Sequence, residues 1–238
     1  MKTVVPDYYP QFKCIAEKCR HTCCRGWEVD IDPESAEKFA QIPKIAEKMD
    51  DEGGPHFTLN EDESCPFLRS DGLCSMIITY GESILCDICR DHPRFRNYFT
   101  DRVEMGLGLV CEEAGRLILG RETPMKLITI SDDGVEEKQP EDEIWLTEVR
   151  DYLLNSALEG PEARLTEYLV YRHLPDALYD GKLDERVEFI KQARDEIVSA
   201  WKNTDGSLDA LVECARAFSY DVEYDDEELE RRIAAFSK

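Results

Sequence analysis

The sequence predicts a mainly α-helical protein with a small β-hairpin. A cysteine-rich, metal-binding module is expected over residues 1–120 and a helical region over 121–238. Three observations lead there. Nine of the ten cysteines lie between Cys14 and Cys111, in dense local groups. The stretch 94–109 reads as two extended runs around Thr100-Asp101, with Leu107 and Leu109 alternating with small residues. Beyond residue 142, apolar residues recur at three-to-four spacing, as in Val187, Ile190, Ala193, Ile197 and Trp201.

Taken in order, residues 1–32 show little periodicity and read as irregular, shaped by the first cysteine group. Asp32-Pro33-Glu34 starts a helix that runs to Gln41: the acid caps it and proline suits the first helical position. Pro43 restarts it, and Gly53-Gly54-Pro55 closes the unit. His56–Leu59 reads as a short strand. A tight turn at Asp71-Gly72 separates Cys65-Pro66-Phe67-Leu68 from Cys74. Helices are expected over Ser75–Tyr80 and Glu82–Asp91, the second carrying Cys86 and Cys89 and closed by Pro93. Cys111 opens a helix to Gly120, with acids in its first turn to suit the macrodipole. Met125–Ile130 reads as a strand and 135–143 as an acidic linker. Helices are then expected at 142–158, 161–173, 183–203, 207–219 and 225–236. Cys214, among Leu211, Val212, Ala215 and Phe218, reads as a small buried hydrophobe.

The N-terminus lacks an apolar core of signal-peptide length, and no stretch approaches the eighteen apolar residues of a membrane span. A cytoplasmic location is therefore expected, where thiols stay reduced and metal ligation outweighs disulfides or plain burial. The net charge of −23 repels nucleic acid and anionic lipid. It attracts basic, lysine-bearing partners; its simpler use is solubility.

Thiolates at such density hold zinc or iron–sulfur clusters. The run Cys14-x4-Cys19-x3-Cys23-Cys24 is neither the paired knuckles of a zinc ribbon nor the usual radical-SAM spacing. Adjacent Cys23 and Cys24 fit one ion poorly and read as facing different partners. Gly106-x-Gly108 lacks a third glycine and sits in a strand-like run, so it is no nucleotide loop.

Several blocks occur in a fixed order. They are Cys14-x4-Cys19-Arg20-His21-Thr22-Cys23-Cys24-Arg25-Gly26-Trp27, then Val29-Asp30-Ile31-Asp32, Cys65-Pro66-Phe67-Leu68 and Gly72-Leu73-Cys74. Cys89-Arg90-Asp91-His92-Pro93-Arg94 and Cys111-Glu112-Glu113-x-x-Arg116-Leu117 follow. Over residues 7–120 they resemble the flagellin lysine-N-methylases, within the broader cysteine-cluster proteins described as zinc- or iron-chelating. The resemblance implies S-adenosylmethionine-dependent methylation of protein lysines, flagellin among the substrates. It also implies an iron–sulfur centre, 4Fe-4S foremost, with zinc as the alternative. The implied ligands are Cys14, Cys19, Cys23, Cys24, Cys65, Cys74, Cys89 and Cys111. Cys86 falls outside that pattern and ranks lower.

Lysine methylation by displacement needs a neutral amine, in-line geometry and a proton acceptor. Tyr8, Tyr9, Glu104, Glu112 and Glu113 lie in the family-like region, but each residue type more often caps or faces solvent, and no catalytic base is singled out. His21 has a ligand and a surface reading. Trp27 reads as core packing that could shield a cluster. Arg94 and Arg116 could hold a donor's carboxylate, although surface ion pairing is the commoner use.

Overall fold

The computed structural model describes residues 1–135, 137–154 and 160–237. The chain forms two compact units, one of 1–13 with 93–238 and one of 14–92.

The chain begins with strand β1 (Lys2–Pro6), where an irregular segment was expected. Its Lys-Thr-Val-Val run is β-branched, but strand formation here needs partners far along the chain. The smaller unit follows. Helix α1 (Pro33–Ala40) starts as expected: the Asp32 carboxylate accepts from Ser35 N–H at 2.9 Å and proline occupies the first turn. Helix α2 (Pro43–Ala46) restarts at Pro43. Strand β2 (Met49–Asp50) pairs antiparallel with β3 (His56–Phe57). Gly53 and Gly54 make the return between them at φ +90° and +132°, a region that favours glycine. The Asp71-Gly72 turn is tied by Arg69 N–H to Leu73 C=O and by a bridge between Leu68 and Cys74.

Helix α3 spans Ser75–Tyr80, as expected. The single helix expected over 82–91 is corrected. A 3-10 turn covers Glu82–Ile84, the chain extends at Leu85 and Cys86, and helix α4 covers only Asp87–Asp91. Cys86 is therefore the residue before the helix rather than part of it. The unit's core joins Val29, Ile31, Phe39, Ile45, Phe57, Phe67, Met76 and Ile84 with cysteine side chains. Phe57 stacks on Phe39 and meets Phe67 edge-on.

In the larger unit the expected hairpin, β4 (Arg94–Tyr98) with β5 (Arg102–Leu107), is half of a sheet. The strand order is β4-β5-β1-β6, with β6 at Leu127–Asp132. The mainly α class holds, but the hairpin is joined by β1, which was not expected, and by β6, near the strand expected at Met125–Ile130, into a four-stranded mixed sheet. Central β1 runs parallel to β5 and antiparallel to β6. Gly106 faces Phe95 across the hairpin; a Cβ there would stand 2.1 Å from the ring.

Helices α5 (Glu112–Leu119), α6 (Glu141–Leu154), α7 (Gly160–His173), α8 (Ala177–Asp180), α9 (Leu183–Lys202), α10 (Leu208–Phe218) and α11 (Asp226–Ala234) follow. Residues 155–158 of the helix expected at 142–158, and Glu136 of the expected linker, lie outside the described residues. Short α8 and a π turn at Ser219–Glu223 were not foreseen. Helix α7 is buried on nearly every side, and Arg164 meets Glu167 within it at 2.7 Å. Cys214 is half-buried at the core's edge rather than fully inside.

Candidate functional site

The smaller unit gathers thiols from three separate segments. Cys65 N–H donates to Cys24 C=O at 2.8 Å, setting those two residues side by side. The Cys65–Leu68 turn, bridged from Leu68 to Cys74, brings the third. The start of α4 supplies Cys86 and Cys89. It is fixed from outside by Asp87 N–H, which donates to the second oxygen of Asp32 at 2.9 Å. Asp32 thus caps α1 with one oxygen and anchors α4 with the other. Cys65 and Cys86 are buried, and Cys24, Cys74 and Cys89 pack partly buried against the same apolar core.

The electrostatics report the same convergence. Burial pushes the Cys65 thiol up to about 11, assisted by Cys24, Cys74 and Cys86. Burial likewise raises Cys74, with Cys24 and Cys86 adding to it. Cys24 is lowered to about 7, first by a hydrogen bond from Cys23. Cys89 S–H donates to Cys86, which lowers Cys86 and raises Cys89.

Of the eight expected ligands, the structure brings Cys24, Cys65, Cys74 and Cys89 together, with Cys23 bonded at the margin. It adds Cys86, which family spacing ranked lower. Cys14 is exposed and accepts from Ala16 N–H at 3.4 Å; Cys19 is half-buried at the end of a 3-10 turn. Cys111 precedes α5 in the larger unit. Trp27 packs on the cysteine core, as expected, and donates to Cys23 C=O at 2.8 Å. A donor set of thiols alone fits a soft metal or an iron–sulfur cluster. Among the described residues, no group of three or more His, Cys, Asp or Glu side chains stands in an arrangement that could hold a metal ion.

The larger unit absorbs the other candidates. Tyr8 is buried, its hydroxyl pushed well up by burial, with Arg121 over its ring. Glu104 is buried between Arg102 and Arg150, at 2.7 Å from each. Buried Glu112 accepts from Arg116 at 2.5 Å; Glu113 and Asp209 lie 3.7 and 3.6 Å from the same guanidinium. Arg94 lies over the rings of Tyr9 and Phe12. These contacts build the fold. Sequence reasoning missed a buried cluster on α7 and the π turn. His173 Nε2 lies 2.6 Å from Glu223, whose other oxygen accepts from Tyr168 and Ser219; Leu109 N–H donates to the Tyr168 hydroxyl. No spacing signal joins residues fifty positions apart.

The molecule is therefore a mainly helical protein with a thiol-lined core in its smaller unit. The chain is 28% identical over 134 residues to proteins named Lysine-N-methylase from Salmonella typhimurium and Salmonella choleraesuis. The match covers 51% of this chain but spans only 33% of each relative's length. The same identity and extent relate it to Flagellar biosynthetic protein FliU of Salmonella muenchen, of which 79% is covered. These relatives bear out the resemblance read from the ordered cysteine blocks. No protein-family profile matches the chain. No solved structure matches it either.

Proposed function

We propose that the protein is an S-adenosylmethionine-dependent protein lysine N-methyltransferase of the flagellin type, with an iron–sulfur centre in its cysteine-rich part. The similarity to lysine-N-methylases carries this reading. The thiol-lined core supports it by supplying a donor set suited to soft metal.

When bound, the cluster would supply an iron capable of engaging the sulfonium donor. The chain's own contributions are more local. Cys24, Cys65, Cys74 and Cys89 would hold the metal at the edge of a core that contains Phe39, Phe57 and Phe67. Ligation must displace their protons, so metal binding releases protons and weakens in acid. The acceptor is a lysine on a basic protein surface, drawn by the charge of −23. Tyr8, Glu104 and Glu112 are buried, so none is offered as the base that deprotonates it.

A second reading is a non-catalytic zinc- or iron-binding adaptor. Burial of Cys65 and Cys86 favours it, because structural zinc sites are closed. Anaerobic purification with iron, zinc and sulfide analysis separates the two, followed by calorimetry with S-adenosylmethionine on metal-loaded protein. Iron with sulfide and donor binding support the methyltransferase. Zinc without sulfide, and no heat at millimolar donor, would leave the adaptor.

A further inference from the structure

We propose that Cys86 is a metal ligand of this chain, acting in a set drawn from Cys24, Cys65, Cys74, Cys86 and Cys89 in the smaller unit. The inference rests on the metal reading above and extends it to a residue that the spacing of the family-like blocks leaves out.

Three observations carry it. First, Cys86 is only 1% exposed, in the same core that holds Cys65 and is flanked by Cys24, Cys74 and Cys89. Second, its backbone has left the helix. With φ −64° and ψ 164° it stands before α4, and Cys89 is the third residue of that helix. The residue before a helix and its third residue lie close together, the two positions that a capping box links by reciprocal side-chain-to-backbone bonds. Cys86 and Cys89 are so joined, by a thiol–thiol hydrogen bond. Third, the position is held from outside. Asp32 accepts from Asp87 N–H, which sets α4 and with it Cys86 relative to α1. A buried cysteine is ordinarily a small hydrophobe. Cys86 shares its core with Cys65, and Cys24, Cys74 and Cys89 pack against that core, so thiols as well as carbon surround it.

The test uses the full chain and cobalt(II) as the probe, because sulfur-to-cobalt charge-transfer intensity grows with each bound thiolate. Changes to residues that merely support metal ligands cost about 10–100-fold in affinity, so loss of a ligand should cost about 100-fold or more. Cys86→Ser should bind cobalt that much more weakly and with reduced charge-transfer intensity. Cys214→Ser should match the unaltered chain. Equal affinity and equal intensity in Cys86→Ser would overturn the assignment and leave the metal reading standing; an unaltered chain that takes up no cobalt would overturn both. Should Cys86→Ser fail to fold, cadmium NMR on the unaltered chain decides. Scalar coupling from cadmium to the Cys86 Hβ protons supports the proposal, and coupling confined to other cysteines refutes it.

Discussion

Cys65 shows how one atom can serve both fold and chemistry. Its sulfur is buried beside other thiols, and its backbone N–H holds the segment that carries Cys24. Cys65→Ser should destabilise even the metal-free chain by about 1–3 kcal/mol, since a buried hydroxyl demands partners that a thiol does not. It should also lower bound metal, read by metal analysis alongside urea unfolding; unchanged metal content and stability would contradict both roles. Gly106 is constrained in another way. Its missing side chain is the space filled by the Phe95 ring, so Gly106→Ala should cost about 1–3 kcal/mol in denaturant midpoint.

His173 is fully buried, and burial lowers its basicity below the ordinary 6.5 against the opposing pull of Glu223. The unfolded chain therefore takes up this proton first as pH falls, and stability is complete only above about 6.5. Burial pushes the Glu223 carboxyl up, but hydrogen bonds from His173 and Ser219 outweigh it and hold Glu223 below 4.5. Its contribution is complete above that value and is lost in stronger acid. Both slopes have one sign, so stability should fall from about pH 7 to pH 5 through His173 and further below that through Glu223. Urea titrations across this range should show the first slope, and His173→Gln should flatten it.

At the scale of elements, Asp32 is the informative residue. Loss of an N-cap costs about 0.5–2 kcal/mol. Asp32→Ala would also strip Asp87 N–H of its partner, adding about 1 kcal/mol. The total should exceed that of a simple cap such as Ser207→Ala, whose side chain serves Ala210 N–H alone. Parallel urea unfolding of the two variants checks this, and equal losses would show that the second oxygen of Asp32 does not matter. The helix starts at Asp32-Pro33 and Pro43 were legible because capping and proline rules are local. The break at Leu85 and Cys86 was not. Its residues have ordinary helix-forming neighbours, and the chain leaves the helix there to bury Ile84 and Cys86 in the core.

For the whole molecule, the two compact units give metal binding a distinct signature. Because ligation free energy is partly folding free energy, loading with metal should protect amides of residues 14–92 from hydrogen exchange. Amides of α7 and α9, whose core contains none of the five gathered thiols, should exchange as before. Protection spread evenly along the chain would count against a centre confined to the smaller unit. Among the described residues, no helix is long and apolar enough to cross a membrane.

The sequence alone determined the mainly helical class, the bounds of most helices and the 94–107 hairpin. Each depends on periodicity, caps or residue type within a few positions. The ordered blocks carried the resemblance that the lysine-N-methylases bear out. Tertiary structure alone decided that Lys2–Pro6 is the central strand of a sheet, because its partners lie some hundred residues away. It also placed Cys86, which spacing ranked lower, in one core with Cys65, against which Cys24, Cys74 and Cys89 pack. Burial in a shared core is a property of the folded chain, and no spacing rule encodes it.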